Sequence, residues 1–122
     1  MSKKILLVDD EPNILMSLEF MMAKAGYQVY VARNGQEALA ILGDAYPDLV
    51  VLDIMMPDVD GYEICRFIRE QPSIQDTSVI FLSAKSRPED IEKGLALGAD
   101  RYLTKPFSTK KLMNTIQELL AS

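Results

Sequence analysis

Lys4-Ile5-Leu6-Leu7-Val8-Asp9-Asp10-Glu11-Pro12 is the stretch on which the fold turns. After its lysine the run is continuously apolar, as a strand is when both faces of a parallel sheet are covered. It breaks directly into two aspartates. From Pro12 the period changes: Ile14, Leu15, Leu18, Met21, Met22 and Ala25 fall on one helical stripe, and Gly26 stands where a C-terminal cap belongs. The unit is strand, acidic corner, helix.

Four more such units follow. Gln28–Ala32, Leu49–Leu52, Val79–Leu82 and Arg101–Thr104 read as strands, the last with the polar ends of an edge strand. Ala38, Leu39, Ile41 and Leu42 mark a second helix with Gly43 after it, and Ile64, Cys65, Phe67 and Ile68 a third that stops before Pro72. Pro88 opens a fourth, carried by Ile91, Leu95 and Ala96 and closed by Gly98; Ser108 caps a fifth, with Leu112, Ile116, Leu119 and Leu120 inward. Methionines at this spacing in the first helix read as core packing rather than an adaptable binding surface. Strict alternation implies an α/β fold: a five-stranded parallel sheet with right-handed crossovers and helices on both faces, the (βα)5 flavodoxin-like doubly wound class. No linker or low-complexity stretch interrupts it, so residues 1–122 read as a single domain.

Composition narrows the function. Apolar residues make up 48% of the chain, enough for a core. A net charge of −5 argues against direct binding of nucleic acid, whose phosphates demand a basic face. The longest apolar stretches fall far short of the ~20 residues that span a bilayer, so membrane insertion is not expected. Met-Ser-Lys-Lys has the charges of a signal peptide but no proper apolar region after them. The single cysteine, Cys65, excludes an internal disulfide and fits a reducing, cytoplasmic compartment; its apolar helical setting predicts a buried thiol. Histidine is absent, which excludes Ser-His and Cys-His catalysis and His-ligated metals. Any metal must be held by oxygen, as Mg²⁺, Mn²⁺ and Ca²⁺ are.

In open parallel sheets ligands bind beyond the carboxyl ends of the strands, at the switch in strand order. Asp9 and Asp10 follow the first strand, Asp53 the third, Ser83 the fourth and Lys105 the fifth, so one rim gathers them. Each has a plainer reading. Asp9-Asp10-Glu11 suits a helix N-cap, Asp53 a turn cap, Ser83 a loop hydroxyl and Lys105 a surface lysine. Together they resist it, because three carboxylates a few ångströms apart repel by several kcal/mol at an effective dielectric of ~20. A hard divalent cation would compensate, with Lys105 adding one positive charge. Such a rim suits phosphoryl transfer, which needs placement and charge neutralisation more than other chemistry. Asp53, on the central strand, is the candidate nucleophile; Lys105 would shield the incoming group and the Ser83 hydroxyl would donate to it.

The chain resembles the receiver domain of two-component response regulators along its whole length. The resemblance rests on Lys4–Glu11, on Asp53-Ile54-Met55-Met56-Pro57-Asp58-Val59-Asp60-Gly61, on Leu82-Ser83-Ala84, and on Gly98-Ala99-Asp100-Arg101-Tyr102-Leu103-Thr104-Lys105-Pro106-Phe107. It implies a phosphorylation-activated signalling switch with Asp53 as phosphoacceptor. Mg²⁺ (or Mn²⁺) would be held by Asp9, Asp10, Asp53 and the backbone carbonyl of Met55. Lys105 would contact the phosphoryl group, with Ser83 as switch hydroxyl and Tyr102 as switch aromatic, the ring leaving an exposed position. The donor would be a phosphohistidine on a sensor histidine kinase or a histidine phosphotransfer protein, and a downstream protein would read the fourth helix, fifth strand and fifth helix. The domain would catalyse only its own phosphorylation and slow autodephosphorylation, with Met55 and Lys85 gating water. A cis Lys105–Pro106 bond is also expected.

Three other readings compete. A metal-dependent phosphatase working through an aspartyl phosphate typically has a second acid two residues after the nucleophile, where this chain has Met55. A flavodoxin-type flavin module shares the topology, but Asp9-Asp10-Glu11-Pro12 would repel a flavin phosphate. The same receiver could also be cut from a longer DNA-binding regulator or hybrid kinase.

Overall fold

In the computed structural model, residues 2–121 are described. Five strands alternate with five helices: β1 (Lys4–Val8), α1 (Pro12–Lys24), β2 (Gln28–Ala32), α2 (Gly35–Ala45), β3 (Leu49–Leu52), α3 (Gly61–Glu70), β4 (Ser78–Ser83), α4 (Pro88–Ala96), β5 (Arg101–Thr104) and α5 (Thr109–Leu120). All pairings are parallel, in the order β2-β1-β3-β4-β5. The order reverses beside β1, so the switch point lies between β1 and β3. The expected α/β class, the central place of β3 and the edge place of β5 are all present.

Period-two alternation divides the core into two layers. Leu6, Val8, Val50, Leu52, Val79 and Phe81 join Ala38 and Leu42 of α2 and Ile64, Cys65 and Ile68 of α3 on one face. Ile5, Leu7, Leu49, Val51, Ile80 and Leu82 join Leu15, Leu18 and Met22 of α1 and Leu112 and Ile116 of α5 on the other. Cys65 is fully buried, as its pattern predicts, and burial pushes its thiol up to about 11.

The helix ends follow local chemistry, with corrections. Gly26 and Gly98 take positive φ, +100° and +107°, just past α1 and α4, where a side chain would be strained. Ala25 is exposed rather than part of the buried stripe, because the helix has ended before it. Gly43 does not follow α2 but lies inside it; Tyr46 supplies the left-handed cap residue at φ 49°. β4 runs one residue further at each end than its apolar core suggested. In α4 the apolar residues do not face inward as expected: Leu95 and Ala96 are exposed, and Gly94 is buried instead. A Cβ at Gly94 would lie 3.0 Å from the rings of both Phe81 and Tyr102, so bare backbone lets α4 lie on those rings. The Lys105–Pro106 bond is cis, as expected.

Candidate functional site

Parallel pairing delivers the predicted rim. Asp9 leaves β1 with its N–H donating to the Ala32 carbonyl at 3.2 Å, and Asp53 leaves β3 with its N–H donating to the Val8 carbonyl at 2.9 Å. These ladder bonds fix both backbones side by side. Asp9 and Asp53 are buried, at 4% and 5% exposure, whereas Asp10 faces solvent. One carboxylate oxygen from each of Asp9, Asp10 and Asp53 lies within 4.8 Å of the others. Lys105, carried in by its N–H bond to the Ser83 carbonyl at 2.8 Å, reaches across. Its Nζ lies 2.9 Å from Asp9 and 2.9 Å from Glu11, but 3.8 Å from Asp53.

The plainer readings fare unequally. Glu11, not Asp9 or Asp10, holds the N-cap position of α1, and no side chain caps that helix. Asp9 instead accepts from the N–H of Glu11 at 2.9 Å, and Asp53 accepts from the N–H of Ile54 at 2.8 Å, so each carboxylate also braces its own turn. Lys105 is no surface lysine, with a side chain 11% exposed. Ser83 is fully buried, and its Oγ accepts from the N–H of Lys85 at 3.2 Å.

Electrostatics separate the roles. The Asp53 carboxyl is pushed up to about 6, chiefly by burial, with Asp9 adding to the effect; the Lys105 charge and the N–H groups of Ile54 and Met55 oppose it. Burial alone would lower the Lys105 ammonium, but its bonds to Asp9 and Glu11 and the charge of Asp53 outweigh this and raise it. One ammonium facing four carboxylates leaves the rim negative. The donor set is all oxygen and mutually repulsive, which fits a hard divalent cation.

Tyr102 departs from expectation. Its ring is half-buried rather than exposed, 5.7 Å from the Phe81 ring centroid, and its hydroxyl donates to the Lys85 carbonyl at 2.7 Å. Burial and the neighbouring Tyr62 push that hydroxyl up to about 12. The bare backbone at Gly94 leaves room for the ring.

Sequence reasoning missed two contributors. Glu11 shares the Lys105 ammonium, and no spacing rule marks it. Gly61 starts α3 so close to Asp53 that a Cβ there would lie 2.3 Å from the Asp53 carbonyl oxygen. A glycine directly after the Asp60 N-cap was the available signal.

Comparison with known proteins agrees with this fold. Residues 5–117 match the family model of the response regulator receiver domain. The chain is similar to the BeF3-activated DrrB receiver domain, at 37% identity over the whole of both chains and a TM-score of 0.92. It is similar to the chemotaxis response regulator CheY4 of Vibrio cholerae, at 34% identity over 98% of this chain and 100% of that one, TM-score 0.91. A third likeness is to the receiver domain of a signal transduction histidine kinase from Syntrophus aciditrophicus, at 37% identity over 98% and 91% of the two chains, TM-score 0.90. Among the described residues no helix is long and apolar enough to cross a membrane.

Proposed function

This chain belongs to the response regulator receiver domain family, the phospho-accepting switches of two-component signalling, and from that premise we propose that Asp53 is its phosphoacceptor. The observation that carries the proposal is the meeting of a buried Asp53 with Asp9, Asp10 and Lys105 at the carboxyl end of the central strand. With a pKa of about 6, Asp53 is ionised at neutral pH and able to act as nucleophile. Its carboxylate attacks the phosphorus of a phosphohistidine on a sensor kinase or phosphotransfer protein. A P–O bond forms, the P–N bond breaks, and the histidine nitrogen leaves with a proton from solvent.

Lys105 holds a positive charge beside the transferred group, once it turns from Glu11 toward Asp53. Asp9, Asp10, Asp53 and the Met55 carbonyl would hold Mg²⁺ or Mn²⁺, which supplies charge neutralisation at the phosphoryl oxygens. Ser83 contributes its hydroxyl to the phosphoryl group, releasing the Lys85 N–H it now accepts. That release couples to Tyr102, whose hydroxyl is held by the carbonyl of the same Lys85. The change reaches a downstream protein through α4, β5 and α5. In this reading residues 1–122 act as one receiver domain, in the cytoplasm, with no chemistry beyond its own phosphorylation and dephosphorylation.

The test is intact mass after incubation with Mg²⁺ and acetyl phosphate. One phosphoryl group should appear, and chelation of the metal should abolish it. Asp53→Asn should gain none; a stable phosphoryl mass on that variant equal to the parent's would refute the assignment.

A further inference from the structure

Asp58 lies outside the acidic rim, exposed on the loop between β3 and α3. A free surface acid would be solvated on all sides, but this one is not. One carboxylate oxygen accepts from the N–H of Gly35 at 2.9 Å and the other from the N–H of Gln36 at 2.9 Å. These are the first donors of α2, which a helix cannot satisfy from within. The next donors are met locally: the Asn34 side chain accepts from Glu37, and the Asn34 carbonyl from Ala38. Asp58 therefore completes the N-terminus of α2 from a distant part of the chain.

The loop is pressed onto that helix start. A Cβ at Gly35 would lie 2.5 Å from the Cβ of Val59 and 2.8 Å from its carbonyl oxygen, so only glycine permits the approach. At its base the loop is closed by the N–H of Gly61 donating to the Ile54 carbonyl at 2.9 Å. Met55, Met56 and Pro57 lie between this closure and Asp58. The backbone N–H groups hold the Asp58 carboxyl below the usual carboxylate range, as they would an acid engaged in its ionised form.

We propose that Asp58 is a positioning residue: by clamping the β3–α3 loop to the N-terminus of α2, it holds the Met55 carbonyl toward the acidic rim and thereby sets the affinity for a divalent cation. The inference rests on the metal reading above. Asp9 and Asp53 are placed by ladder bonds beside β1 and β3 and do not need Asp58, whereas the Met55 carbonyl belongs to the loop that Asp58 ties to α2.

The full chain is titrated with Mn²⁺ by calorimetry, for the parent, Asp58→Ala and Asp58→Asn, alongside hydrogen exchange at the amides of Gly35 and Gln36. Asp58→Ala should bind Mn²⁺ about 10-fold more weakly, the lower range for losing a partner that orients a ligand. Asp58→Asn, which keeps one acceptor oxygen, should fall between them and also serves if the alanine variant folds poorly. In both variants the two amides should exchange faster. Mn²⁺ affinity equal to the parent's in Asp58→Ala, whether or not the amides lose protection, would overturn the clamp while leaving the metal reading standing. A parent that binds no Mn²⁺ would overturn the metal reading itself.

Discussion

Asp53 is held in a state that costs stability when no metal is bound. Its folded pKa of about 6 exceeds the ordinary 3.8, so between those values the folded chain binds more protons than the unfolded one. Stability contributed by this group therefore falls as pH rises through that window. Other carboxylates slope the opposite way: Asp90 is held low, chiefly by its hydrogen bond from Arg87. The difference between parent and Asp53→Asn isolates the one group. In urea unfolding with chelator, Asp53→Asn should be the more stable at about pH 7, and its advantage should vanish near pH 4; a constant difference would contradict this. Asp10→Ala should likewise relieve repulsion and raise metal-free stability by ~1 kcal/mol. Free Mg²⁺ at 100 times its dissociation constant should stabilise the parent by about 2.7 kcal/mol, and Asp10→Ala should lose most of that gain. Reduced thermal stability of Asp10→Ala with unchanged Mg²⁺ affinity would point instead to a local structural role.

At the scale of elements, two glycines let helices approach what they must touch. Gly61 brings the start of α3 against the backbone of Asp53, and Gly94 lays α4 on Phe81 and Tyr102. The obstacles differ in kind, and so should the substitutions. At Gly61 an added methyl meets backbone, which cannot turn aside; Gly61→Ala should cost ~2 kcal/mol or more and weaken metal binding. At Gly94 it meets ring edges. Alanine favours a helix by ~1 kcal/mol over glycine, but crowding of a packed core costs ~1–3 kcal/mol, so a net loss of about 1 kcal/mol is expected. Urea midpoints order the pair. A stabilised Gly94→Ala would show that the Tyr102 ring yields, and its aromatic resonances would then shift.

Over the whole molecule, the proposed switch would link Asp53, at the end of the central strand, to the edge of the sheet through β4. Ser83 and Thr104 are register partners on β4 and β5, as are Phe81 and Tyr102. A phosphoryl mimic such as beryllofluoride should perturb the amides of Glu89–Leu97 and Arg101–Leu112. Ser83→Ala should bind the mimic yet lose much of that perturbation. Because Tyr102 is already half-buried and bonded to Lys85, its ring has no exposed position to leave; the response should centre on Lys85 and the N-terminal turn of α4. A coupling of a few kcal/mol is the most that differential binding can supply. An equal response in Ser83→Ala would defeat the switch model.

The alternation of apolar runs and helical stripes determined the class of fold by itself, because each period is set by the local backbone and each stripe must find a covering layer. The same logic put Asp9, Asp10, Asp53, Ser83 and Lys105 on one rim: in a parallel sheet every strand ends on the same side. Local chemistry also placed the caps at Ser108 and Gly26. What tertiary structure alone decided were contacts between residues far apart in the chain. Gly43 stays within α2 because helix length is settled by packing, and α4 turns Gly94 rather than Leu95 inward because two aromatic rings from neighbouring strands occupy that space. Likewise Lys105 pairs with Glu11, and Asp58 reaches α2, through partners 94 and 22–23 residues away. No local period encodes such pairings; they exist only once the strands have brought the loops together.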